Sequence, residues 1–135
     1  MTRPRVLLAD DYAPLLTSWR RILDASCDIV GAVSDGREVI AAAKTHSPDV
    51  VVLDIAMPDV NGLTACRELK AAFPGMGVVL VSAFDDMAFQ HAADAAGASA
   101  FVVKSVAAVE LERAIDHAFR GATPFRAFTP RGEGV

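Results

Sequence analysis

Five short apolar runs alternate along the chain with five segments in which apolar residues recur at helical spacing. Residues 6–9 are the first run and stop at Asp10 and Asp11. Pro14 falls where the first turn of a helix tolerates proline. Leu15, Leu16, Trp19, Ile22 and Leu23 then follow at the spacing of one buried helical face, with Arg20, Arg21 and Asp24 pointing outward. Residues 29–33 read as a second, weaker strand, and Ser34, Asp35 and Gly36 as a turn and cap. Val39, Ile40 and Ala43 mark a helix ending near His46, which Pro48 closes. Residues 50–53 are an unbroken β-branched run, the mark of a central parallel strand covered on both faces, and they end in Asp54.

After Met57, Pro58 and the turn residues Asn61 and Gly62 comes a helix with Leu63, Cys66, Leu69 and Phe73 on one side, broken by Pro74 and Gly75. Residues 78–81 form a fourth buried strand ending in Ser82; Asp85 and Asp86 start an alanine-rich helix stopped by Gly97. Residues 101–103 are a fifth strand ending in Lys104, and a last helix carries Val109, Ile115 and Phe119 inward and stops at Gly121. Strand and helix in strict alternation predict an α/β fold, a doubly wound five-stranded parallel sheet with helices on both faces. Residues 1–121 make this one domain. Residues 122–135, with Pro124, Pro130, Gly132 and Gly134 and no period, read as a frayed tail or the start of a linker.

The polar residues that interrupt the buried strands all stand at their C-terminal ends: Asp10, Asp11, Asp54, Ser82 and Lys104. In a parallel sheet those ends share one edge, where open α/β sheets bind ligands. If the first and third strands are neighbours, Asp11 and Asp54 face each other across a crevice. Two carboxylates about 5 Å apart repel by roughly 3 kcal/mol at an effective dielectric near 20, so a lone lysine offsets a cluster of three only in part. Hard oxygen donors with no nearby His or Cys favour Mg2+, which keeps open positions for phosphate oxygens.

Composition narrows the function. The 135 residues are 53% hydrophobic and 22% charged, enough for a core and against wholesale disorder. A net charge of -4 argues against direct nucleic-acid binding through the chain's own surface, because the phosphate backbone demands a basic face. Mean hydropathy is high at +0.34, but the longest uncharged stretch, residues 71–84, is broken by Pro74, Gly75 and Gly77 and is too short to cross a bilayer. The apolar run at residues 6–9 is too short for a signal peptide. Cys27 and Cys66 lack metal-ligand spacing and read as buried thiols, so the expected compartment is a reducing cytoplasm, with no membrane association. His46, His91 and His117 fall on helices and read as surface residues.

The run Leu53, Asp54, Ile55, Ala56, Met57, Pro58, followed by Asn61, Gly62 and Leu63, resembles the phosphoacceptor segment of bacterial two-component response regulator receiver domains. Asp10 and Asp11 resemble the acidic pair of that family, Ser82 and Ala83 its Ser/Thr-Ala step, Lys104 its invariant lysine, and Phe101 its aromatic switch position. The resemblance covers residues 5–121. It implies the flavodoxin-like strand order 2-1-3-4-5, as in chemotaxis regulators, and a domain that promotes its own phosphorylation and dephosphorylation without being a turnover enzyme. Asp54 would accept a phosphoryl group from a histidine kinase or phosphotransfer protein. Asp10, Asp11, Asp54 and the Ala56 carbonyl would hold Mg2+. Lys104, the Ser82 hydroxyl and the amides of Ala56 and Ala83 would meet the phosphoryl oxygens. Ser82 and Phe101 would switch the surface of the fourth helix, fifth strand and fifth helix, with Phe101 rotating inward; in this family that surface commonly pairs receivers or meets partners, so a homodimer through it and the docking of another partner are both left open.

Two departures stand out. Ser105 follows Lys104 where the family usually has proline, which puts the lysine's reach in question. Phe84, two residues after Ser82, either shields the acyl phosphate from water or makes a hydrophobic contact at the start of the fourth helix. A haloacid-dehalogenase-type hydrolase is disfavoured because Ala56 stands where a second Asp is needed, and a flavin carrier because the first loop is acidic. The alternative reading is a degenerate receiver that acts as a phosphorylation-independent interaction module. Residues 121–130 are similar to the exit of receivers joined to helix-turn-helix DNA-binding domains, so transcriptional output joins the expectation. A stand-alone receiver and the front of a longer regulator are both left open.

Overall fold

The computed structural model describes residues 3–121, 124–130 and 132–134. The elements run β1 (Arg5–Ala9), α1 (Ala13–Leu23), β2 (Asp28–Val33), α2 (Gly36–His46), β3 (Val50–Asp54), α3 (Gly62–Ala72), β4 (Gly77–Ser82), α4 (Met87–Ala95), β5 (Ala100–Val103), a single 3-10 turn (Lys104–Val106), α5 (Ala107–Phe119), β6 (Arg126–Thr129) and β7 (Gly132–Gly134). The sheet order is β2-β1-β3-β4-β5-β6-β7, and every pairing from β2 to β6 is parallel. β1 and β3 are therefore neighbours, as the facing of Asp11 and Asp54 requires.

Side-chain alternation along the strands divides the core in two. Leu7, Ala9, Val51, Leu53, Val78, Leu80, Phe101 and Val103 face α2, α3 and the end of α4. Val6, Leu8, Val50, Val52, Val79, Val81 and Val102 face α1 and α5, where Trp19, Leu23, Leu111 and Ile115 cover them. β3, β4 and β5 are buried along their whole length, whereas β2, the flank of the sheet, is half-exposed. The helix starts follow local chemistry: Asp35, Asn61 and Asp86 each accept backbone amides of their own first turn. Among the described residues no helix is long and apolar enough to cross a membrane.

Four expectations change. The sheet has seven strands where five were expected, because part of the segment read as tail pairs with the sheet; residues 122, 123, 131 and 135 of that segment lie outside the described residues. β6 lies parallel to β5, with Phe101 opposite Ala127 and Val102 opposite Phe128, and β7 returns antiparallel. A four-residue strand flanked by proline and glycine carries too few positions for a period to be legible. Val109 is 75% exposed, since the buried stripe of α5 runs instead through Leu111, Ala114, Ile115 and Ala118. His117 is buried, not superficial, with Nε2 3.0 Å from the Pro124 carbonyl oxygen. On α1, Leu15, Leu16 and Ile22 are only half-buried, and Trp19 and Leu23 carry the contact.

β6 is anchored by Phe128, which is 1% exposed and has the guanidinium groups of Arg113 and Arg126 within 5.8 and 5.4 Å of its ring. Phe128→Ala is expected to lower the unfolding free energy by about 3 kcal/mol, through a lost buried ring and a residual cavity. Urea denaturation measures it, and a midpoint equal to the parent's would mean that β6 contributes nothing to the folded core.

Candidate functional site

β1 delivers Asp10 and Asp11, β3 delivers Asp54, β4 ends on Ser82, and the 3-10 turn after β5 begins with Lys104. One carboxylate oxygen from each of Asp10, Asp11 and Asp54 lies within 4.8 Å of the others. Asp10 and Asp54 are 0% and 2% exposed, and Asp11 stands at the mouth, exposed. The Tyr12 amide donates to Asp10 Oδ1 at 2.8 Å, and the Ala56 amide donates to Asp54 Oδ1 at 3.3 Å. Lys104 Nζ donates to Asp54 Oδ2 at 3.2 Å and sits 3.0 Å from Asp10 Oδ2 as an ion pair. Asp10 Oδ2 nonetheless accepts no hydrogen bond among the described residues.

Ser105 in place of proline does not keep the lysine away. The 3-10 turn carries its ammonium to both buried carboxylates. Burial pulls the Lys104 pKa down, but the two carboxylates beside it outweigh burial and leave it above the ordinary lysine value. Asp54 moves the other way from a usual ion-paired acid. Burial first, and then the charge of Asp10, push its carboxyl up to about 6, and Lys104 and the Ala56 amide only partly oppose the shift.

Three acidic groups against one lysine leave an excess of negative charge in a buried site, and among the described residues Asp10 Oδ2 has only the Lys104 ammonium beside it. Hard oxygen donors gathered this closely, with more negative charge than one lysine balances, fit a divalent cation such as Mg2+.

The remaining site residues stand around this cluster. Ser82 is buried, and its Oγ accepts the Phe84 amide at 3.0 Å. Ala56 and Ala83 are exposed at the rim. Phe84 is 64% exposed and its ring stacks on Phe89 of α4, centroids 6.2 Å apart, which matches the helix-start contact read from the sequence. Phe101 is fully buried with its ring already inward. A ring on the last strand of a sheet keeps one flank open, but here β6 sets Ala127 beside it and Phe125 packs against the same cluster.

Gly62 shapes the loop that follows Asp54. Gly62, the first residue of α3, donates its amide to the Ile55 carbonyl at 2.8 Å. A Cβ there would stand 2.3 Å from the Asp54 carbonyl oxygen, so only glycine lets α3 start directly against the backbone of Asp54. The sequence signal, Asn61 followed by Gly62, is legible as a turn and cap; the close approach is not. The amide of Tyr12 holding Asp10 was likewise beyond sequence reading, because it depends on the path of the backbone after β1.

The Asp54 shift has a direct consequence for stability. A carboxyl whose pKa is pushed up to about 6 from an ordinary 3.8 binds its proton more tightly in the folded protein. Metal-free stability is therefore highest at low pH within this window and falls as pH rises from about 4 to about 6, staying lower above it. Asp54→Asn is expected to stabilise the metal-free protein near neutral pH by on the order of 2 kcal/mol, and to flatten that pH slope. Thermal unfolding in a chelator across this pH range measures both, and an unchanged slope would contradict the assignment.

A family model described as the response regulator receiver domain matches residues 6–116. The chain is 34% identical over 127 residues to the uncharacterized transcriptional regulatory protein YxjL of Bacillus subtilis, an alignment that spans 93% of this chain and 58% of that protein. It is 35% identical over 101 residues to the chemotaxis protein CheY of Thermotoga maritima, covering 74% of this chain and 84% of that one. The signal receiver domain of the putative response regulator NarL from Mycobacterium tuberculosis superposes with a TM-score of 0.85 at 28% identity, over 90% of this chain and all of that one. The chain thus spans little more than half the length of the Bacillus relative. Strand order, the gathered acidic cluster with its lysine, and a match along most of the sequence agree: the chain belongs to the response regulator receiver domain family.

Proposed function

We propose that Asp54 is the phosphoacceptor of this receiver and that residues 1–121 form the phosphoryl-accepting unit. A carboxylate oxygen of Asp54 attacks the phosphorus of a phosphohistidine on a kinase or phosphotransfer protein. The P–N bond breaks, the imidazole nitrogen leaves with the electron pair, and an acyl phosphate remains on Asp54. The observation that carries this reading is the meeting of Asp10, Asp11 and Asp54 around the ammonium of Lys104, with more negative charge than that ammonium balances.

Asp10, Asp11, Asp54 and the Ala56 carbonyl would hold Mg2+. When bound, that ion supplies the positive charge that carboxylate and phosphoryl oxygens need and that a single lysine does not provide. Lys104 would exchange its contact with Asp54 Oδ2 for a phosphoryl oxygen, and the amides of Ala56 and Ala83 would donate to the others. Phosphoryl transfer has a loose, charge-spread transition state, so placement of donors does most of the work and no general base is needed. Release of the phosphoryl group to water would be promoted by the same groups. The domain is thus a self-modifying switch and not a turnover enzyme.

The readout would run through Ser82, whose hydroxyl can leave the Phe84 amide for a phosphoryl oxygen, and through Phe101 on β5. Because the Phe101 ring is already inside, its part is to hold the inward packing and not to swing into it. The flank of β5 is occupied by β6, so two receivers pairing on this side would use the outer faces of α4 and α5, where Met87 and Val109 are exposed. A transcriptional output is supported by the name of the Bacillus relative, a transcriptional regulatory protein. The acidic receiver itself would not touch nucleic acid, and a cytoplasmic setting fits its thiols. The phosphorylation-independent interaction module gains no support, since each charged residue that such a module usually lacks is present and gathered.

Incubation with Mg2+ and a small acyl-phosphate donor, followed by intact-mass measurement, is expected to add one phosphoryl group to the parent and none to Asp54→Asn. Mg2+ alone is expected to raise the unfolding midpoint of the parent. A parent that gains no mass, with a midpoint indifferent to Mg2+, would overturn the reading.

A further inference from the structure

We propose that Gly36, on a different helix and in contact with no reacting atom, is a positioning residue for the Asp54 site. The inference rests on the receiver reading and adds to it the part of the fold that holds the loop after β3 in place. A Cβ on Gly36 would stand 1.8 Å from the carbonyl oxygen of Val60, 2.7 Å from its carbonyl carbon and 2.8 Å from its Cβ. Gly36 is not among the residues with positive φ, so closeness and not conformation demands glycine here. α2 and the loop between β3 and α3 touch backbone to backbone at this point.

Neither side of the seam has room to give. Asp35 accepts the amides of Arg37 and Glu38 and fixes where α2 begins, and Val39 and Ala43, one and two turns on, are 0% and 1% exposed in the core. On the loop side the Val60 amide donates to the Pro58 carbonyl at 2.8 Å, and two residues later Gly62 lies against the Asp54 carbonyl with its amide on Ile55. Val60 is thus held between the first residue of α2 and the turn that closes on Asp54. Displacing its carbonyl moves a short, internally bonded segment whose other end carries Ala56. The amide of Ala56 already touches the Asp54 carboxylate, and its carbonyl is the one that would join the carboxylates in holding Mg2+. A side chain at position 36 therefore acts on the site through the loop, in the manner of an outer residue that orients the groups holding a metal.

Gly77 supplies the control. It too lies against backbone, less tightly, with a Cβ that would stand 2.9 Å from the Ala118 carbonyl oxygen, but it begins β4 at the end of the strand opposite Ser82. Gly36→Ala, Gly77→Ala and the parent are compared for the Mg2+ concentration giving half-maximal phosphorylation by a small acyl phosphate, for the Mg2+ dependence of the unfolding midpoint, and for the midpoint in chelator. Gly36→Ala is expected to raise the Mg2+ requirement by about tenfold in both metal readouts, with phosphorylation recovering at saturating Mg2+. Gly77→Ala is expected to lower the midpoint in chelator and leave the Mg2+ requirement at the parent's value. If Gly36→Ala does not fold, Val60→Gly loosens the same seam from the loop side and is expected to raise the requirement in the same direction. A parental Mg2+ requirement in the folded variant, or an equal rise in Gly77→Ala, overturns the proposal while leaving the receiver reading intact. A parent that neither responds to Mg2+ nor is modified at Asp54 overturns both.

Discussion

Electrostatic crowding at the C-terminal ends of β1 and β3 is the constraint around which this molecule is arranged. Asp10 and Asp54 are almost fully enclosed, Asp11 adds a third charge at the mouth, and a single ammonium lies between the two buried groups. Water would disperse such repulsion, but the strands beneath are covered on both faces by helices and cannot open to admit it. Nor can the carboxylates drift apart, because Val6 to Ala9 and Val50 to Leu53 are locked side by side in one parallel ladder. The fold therefore stores an unfavourable interaction at one place, and three events relieve it: a proton on Asp54, a cation among the oxygens, or conversion of Asp54 to a neutral side chain. A site of this kind responds to its ligands because it is uncomfortable without them.

The two sides of the acidic cluster differ in how firmly they are held. After β3 the chain is pinned within a few residues, with Gly62 against the Asp54 backbone and Gly36 against Val60. After β4 the chain is looser. Ala83, Phe84, Asp85 and Asp86 are all exposed, and the ring of Phe84 rests on Phe89 instead of entering the core. Fixed groups on one side and yielding groups on the other make a directional device. A substituent on Asp54 would find close backbone contacts on the β3 side at Gly62 and Gly36 and an exposed segment on the β4 side.

Much of this was legible before any coordinates. The unbroken apolar run ending in Asp54 revealed a central strand, and the confinement of charged residues to C-terminal strand ends revealed a shared edge, since in a parallel sheet those ends lie along one side. Backbone proximity was not legible. Asn61 with Gly62 and Asp35 with Gly36 announce turns and caps, but that each glycine touches another segment's carbonyl depends on helix placement. Local pattern also failed where few residues carried it: β6 has four, and only its pairing with β5 makes Ala127 and Phe128 core residues. Val109 failed for a different reason. It is apolar, yet the stripe of α5 that meets the sheet lies on Leu111, Ala114, Ile115 and Ala118, and one aliphatic side chain beside such a stripe is no evidence of burial.

The extra strands bear on a hazard common to open parallel sheets. Had β5 been outermost, its row of free amides and carbonyls beside Phe101 and Val102 would have been a template for strands of other molecules. β6 covers that row, and β7, three residues long with glycine at both ends, becomes the margin instead. So brief a margin gives an incoming strand little length over which to find a register, so the sheet ends where further growth by stacking edge upon edge gains least.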